Sequence, residues 1–125
     1  MPLPPNAHQF TRPIDPADIE VFTVNLKKGL DADAILTPTE AVDTYTLTLL
    51  PEAVAAGLII ATDDGRETTL IGTQLRFWLK VDPAMQNDAI FDGGGQSLGL
   101  ELTIETNSNP PRRKQRTLSV QVANQ

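Results

Sequence analysis

The chain has 125 residues, 40% of them hydrophobic, with 10 basic side chains against 16 acidic ones and a net charge of −6. That length supports one domain around one core, and the acidic balance argues against general nucleic-acid binding, which needs a positive footprint. The absence of cysteine excludes disulfides, thiolate metal sites and cysteine nucleophiles.

Residues 1–18 hold Pro2, Pro4, Pro5, Pro13 and Pro16, half of the ten prolines. Proline fixes φ and removes a donor. The expectation is an extended N-terminal arm without a core of its own, ahead of a domain over residues 19–125. Such an arm would dock on a neighbouring subunit, with Pro4, Pro5 and Phe10 as contact residues, and would be dispensable for folding. The opening MPLPPNAHQF lacks the basic start and apolar run of a secretion signal, so synthesis in a host cytoplasm is expected.

Ile19–Leu26 alternates as a first strand, with Phe22, Val24 and Leu26 on one face. A turn follows at Lys27–Leu30, then a short strand near Ala34–Thr37. Asp43–Leu50 sets Tyr45, Leu47 and Leu49 against Thr44, Thr46 and Thr48. Pro51 suits the first position of a brief helix over Pro51–Ala56. Gly57–Ala61 reads as a buried strand, Asp63-Asp64-Gly65 as a hairpin turn, and Glu67–Ile71 as the returning strand. Gln74–Asp82, Ser97–Thr106 and Arg116–Ala123 are the best-phased strands. Between the first two lies a long loop, Pro83–Gln96, anchored by Ile90 and Phe91. Asn107–Lys114 joins the last two. Seven or eight short strands at this spacing predict an all-β protein, an immunoglobulin-like antiparallel β-sandwich.

Little in the chain points to catalysis. His8 is the only histidine and lies in the arm, where a catalytic pair could not be held. Of the acid groups Asp31/Asp33, Asp63/Asp64 and Asp82/Asp88/Asp92, the last is the more serious option for calcium, but it does not follow the spacing of an EF-hand loop, and a turn-forming role accounts for it more simply. Gly93–Gly95 leads into a strand, not a helix, so it reads as a close backbone approach and not as a phosphate loop. Neither a cofactor nor a metal is expected. The contact candidates are the basic run Arg112, Arg113, Lys114 and Arg116, read as a docking tip whose replacement by serine would spare stability. Trp78 joins them: by parity it points away from Phe77 and Leu79, flanked by Arg76 and Lys80.

Several segments, in order, resemble a known family. They are Leu30–Thr37 (LDADAILT), Gly57–Ile60 (GLII), Thr73–Leu79 (TQLRFWL), Gly93–Gly95, Leu100–Thr106 (LELTIET), and the basic stretch before Val120–Val122. Together they look like small tailed-bacteriophage virion proteins of the fiber–tail adaptor-like kind, which carry an Ig-like β-sandwich. The resemblance covers about residues 15–123. It implies a non-enzymatic virion protein that bridges particle or tail to fiber, with other virion proteins as partners and self-association, in one form a trimer. Nucleic acid and membrane are not expected partners. The alternatives are a capsid decoration protein acting as a homotrimer and, from another class, a carbohydrate- or receptor-binding module. The aromatic content of 5% leaves little for a sugar platform.

Overall fold

The computed structural model of the protein describes residues 8–10, 12–26, 36 and 40–124. The turn expected at Lys27–Leu30, all but Leu36 of the strand expected near Ala34–Thr37, and Pro4 and Pro5 lie outside the described residues. The elements are β1 (His8–Gln9), β2 (Glu20–Asn25), β3 (Val42–Leu49), α1 (Pro51–Ala55), β4 (Leu58–Ala61), β5 (Thr69–Ile71), β6 (Gln74–Val81), β7 (Gln96–Thr106) and β8 (Arg113–Val122). The protein is all-β. One sheet has the order β1-β8-β7-β3 and the other β2-β6-β4, with β5 also on β6. Every pairing is antiparallel except that of β1 with β8.

Alternation decides which side of each strand enters the core. Leu75, Phe77, Leu79 and Val81 of β6 are buried, as are Leu98, Leu100, Leu102 and Ile104 of β7 and Leu118, Val120 and Val122 of β8. Phe22, Val24 and Leu58 join them in one cluster shared by the two sheets. Each such side chain stabilises the fold by about 1.5–3 kcal/mol. Pro51 starts α1 as expected, and Ala53 packs beneath it. The loop after β6 forms two 3-10 turns, Pro83–Met85 and Ala89–Phe91, in which the Ala84 and Ile90 N–H groups donate to the Asp82 and Asp88 carboxylates. Phe91 is fully buried and anchors this loop, but its neighbour Ile90 is exposed. A tight turn rotates successive side chains apart, so only one of the two expected anchors reaches the core.

The returning strand pairs differently from expectation. Leu58–Ala61 lies along Val81–Trp78, and Thr69–Ile71 lies along Arg76–Gln74. Thus β4 and β5 sit end to end on the same side of β6. The turn at Asp63–Gly65, with Asp64 at φ 52° and Gly65 at φ 81°, belongs to an excursion that interrupts one edge strand and does not close a β4–β5 hairpin.

The N-terminal stretch also departs from an arm extended away from the domain. Its described residues complete the domain's own structure. His8 and Gln9 align with Leu118 and Ser119, and Ile14 bridges in parallel to Val122. The Phe10 N–H donates to Ser119 O, the Ile14 N–H to Gln121 O, and the Ala123 N–H to Ile14 O. Ile14 is 1% exposed, and the Phe10 ring sits 4.8 Å from that of Phe22 and 5.9 Å from that of Phe77. Phe10 is thus an intramolecular contact. Prolines set the local backbone here, but two apolar side chains between them supply the driving force.

Candidate docking surfaces

The run Arg112, Arg113, Lys114, Arg116 is continuous in sequence and dispersed in space. The Arg112 guanidinium binds the Glu40 carboxylate through two bonds, Nε to Oε2 at 2.9 Å and Nη2 to Oε1. Glu40 is buried, so this pair clamps the loop after β7 to the segment before β3. The clamp continues through the backbone: the Ala41 N–H donates to Asn107 Oδ1 and the Asn107 N–H to Ala41 O. Arg113 points to the other side of β8 and pairs with Glu105 on β7 at 2.7 Å. Lys114 lies opposite Ile104 and Arg116 opposite Leu102, in the rows that continue the core side of the sheet. Both are partly buried there. The four cations therefore form no single positive tip. Counting back by twos from Leu118 gives Arg116 and Lys114, so parity held this signal.

The consequence for mutation differs from the expectation of a stability-neutral tip. Arg112→Ser leaves a buried carboxylate without its cation, which is costly. Its melting temperature should fall clearly, while Arg113→Ser, at a side chain 72% exposed, should melt within a degree or so of the parent. Replacing Glu40 with Gln in the Arg112→Ser background should recover part of the loss, read by circular dichroism. The hydrogen bond to Glu40 raises the Arg112 pKa above its ordinary value. The stabilisation that this shift carries is thus present below the ordinary arginine range and is lost as pH rises through it.

Trp78 stands on the outer side of β6, as parity requires. It lies between Val21 of β2 and Ala61 of β4. It is half-buried: the Arg66 guanidinium carbon sits 5.9 Å from the ring centroid. Asp63 and Asp64 hold that arginine in place, each at 3.6 Å. The β4–β5 excursion thus covers part of the tryptophan. On the neighbouring rows Arg76 lies between Thr23 and Thr69, and Lys80 beside Ile59. Among the described residues neither Arg76 nor Lys80 has an ion pair, and the one carboxylate in the rows from Gln74 to Lys80, Glu20 opposite Leu79, is paired with Arg12. In a chain of net charge −6 this is a local reversal of sign.

The remaining candidates do not converge. Asp82 and Asp88 cap the 3-10 turns, and Asp92 accepts from the Asn124 side chain. Among the described residues no three histidine, aspartate or glutamate side chains come together as a metal site. Asp31 and Asp33 lie outside the described residues. A cleft of about 530 Å³ beside β2 is lined by Phe10, Arg12 and Val21–Thr23. Among the described lining residues the ionisable group is Arg12, which is engaged with Glu20 and Val21 O. Comparison of the chain with protein-family models, curated proteins and solved structures found no match in any of the three.

Proposed function

We propose that the protein is a non-enzymatic structural module of a tailed-phage particle, an Ig-like sandwich that bridges particle or tail to a fiber component. The observation that carries a docking role is the outer face of β2-β6-β4. It carries Arg76 and Lys80 beside a half-buried Trp78, which Arg66, paired with Asp63 and Asp64, partly covers. An aromatic flanked by cations on a flat sheet suits an acidic protein surface, and opposite charge across such a contact speeds and orients association. The resemblance to adaptor-like virion proteins narrows the partner to another virion protein.

The test is a pull-down with the products of adjoining genes, followed by titration of any partner captured. Reversing both free cations, Arg76→Glu with Lys80→Glu, should weaken binding at least tenfold. Raising salt should weaken the parent complex in the same direction. Both residues are on the outer side, so melting should change little. Unaltered affinity in the doubly reversed variant would rule this face out as the docking surface.

A further inference from the structure

Two sheets have four lateral edges, and the protein treats one of them differently. β1 is two residues long. β2 is guarded by Arg12, whose Nη2 donates to Val21 O. The β4–β5 edge is broken by the excursion over residues 62–68. Short, covered or interrupted edges resist pairing with another chain. Among the described residues β3 has none of these guards. It runs eight residues from Val42 to Leu49 with β7 as its one neighbour, and it holds no lysine, arginine or proline. Among the described residues, no backbone hydrogen bond reaches β3 from its other edge.

The side chains of β3 are also unfinished on the core side. Tyr45, Leu47 and Leu49 are only partly buried, whereas their partners Ile104, Leu102 and Leu100 are fully buried. We propose that a second copy of this chain adds its own β3 to this edge, antiparallel and about a twofold axis normal to the sheet. The two β1-β8-β7-β3 sheets then become one continuous sheet of twice the width.

A twofold of this kind keeps each face on its own side. It therefore pairs only residues of like parity: threonine with threonine outside, and Tyr45, Leu47 and Leu49 with one another over the core. The sequence of β3 meets that condition with itself from Thr44 to Thr48, beyond the irregularity at Val42–Thr44. Charge favours a second copy in the same way. Copies of a −6 chain repel, but Asp43 is the only charge on β3 and sits at one end, far from its equivalent in an antiparallel pair. On the adjoining strand Glu105 is paired with Arg113, and Glu101 stands opposite Thr48. From Thr44 to Leu49 the edge strand itself carries no charge. A twofold pair consumes it, so a trimer would need another surface. The inference does not depend on what the opposite sheet docks.

Light scattering across a concentration series should show the mass rising from 13.6 kDa towards twice that value. Thr46→Lys, at an exposed side chain, sets like charges against each other near the axis and should hold the protein at monomer mass with an unchanged circular dichroism spectrum. The chain has no cysteine, so Thr46→Cys provides a single probe. Mild oxidation should yield a disulfide-linked dimer. This readout decides the matter if Thr46→Lys does not fold. A parent that stays monomeric at every concentration would overturn the proposal. So would an oligomer whose mass Thr46→Lys leaves unaltered, or a Thr46→Cys protein that forms no cross-link.

Discussion

A chain that starts at residue 19 should fail to fold, or should melt far below the full protein. Ile14 occupies the core at 1% exposure, and its removal resembles a large-to-small core substitution. Ile14→Ala alone should cost about 2–5 kcal/mol, which for a domain of this size is a fall in melting temperature of about 10 °C. Truncation removes more than that side chain. The Phe10 ring leaves Phe22 and Phe77, and the edge of β8 loses the bonds linking Phe10 to Ser119 and Ile14 to Gln121 and Ala123. Buried apolar surface and backbone carbonyls would be exposed together. Thermal denaturation of the truncated and Ile14→Ala proteins is the check. If the truncated chain melts where the full chain does, the stretch is an appendage and its packing contributes nothing.

Gly95→Ala should be a severely damaging single-methyl change. Gly95 has φ 73°, where an L side chain costs about 1–2 kcal/mol before any contact is considered. The added Cβ would lie 2.1 Å from Val122 O, 2.6 Å from Ala123 Cβ and 2.7 Å from Ala123 Cα. Two of those atoms are backbone, and the next residue, Gln96, is already in register with Val122. Relief therefore requires prising β7 from β8. Gly94→Ala is the matched control. Nothing lies within 4 Å of its added methyl, so its stability should stay within about 0.5 kcal/mol of the parent. Denaturant melts of the two variants should differ widely, and similar midpoints would mean that the β7–β8 junction yields easily.

What the sequence disclosed was local. Period-two alternation located β2, β3, β6, β7 and β8, and it chose the buried face of each correctly, because the pleat ties side-chain direction to position. The glycine run before β7 was read as a close approach, and Gly95 is one. What alternation cannot encode is which strand a strand meets. Hence β5 was expected beside β4 and instead lies along β6. The proline-rich start misled for a related reason: composition reports backbone freedom, whereas Ile14 and Phe10 act through contacts with strands about a hundred residues away. The basic run shows the reverse error. Adjacent positions on a strand diverge, so Arg112 and Arg113 reach Glu40 and Glu105 in opposite directions. The Glu40–Arg112 clamp, which joins positions 72 residues apart, left no mark in either local sequence.

The position of β8 has a bearing on how the protein comes into being. It lies inside its sheet, between β1 and β7, although it is the last strand in sequence order. During synthesis everything before Arg113 can emerge from the ribosome while this slot stays empty. β1 and Ile14 must then wait for a strand about a hundred residues later before they find their pairing partners. Folding of this domain is therefore expected to be slow, as for other topologies rich in distant contacts. A nascent chain halted before β8 would present Leu98, Leu100 and Leu102 without the strand that pairs beside them. It would be a natural client for chaperones that bind exposed hydrophobic segments.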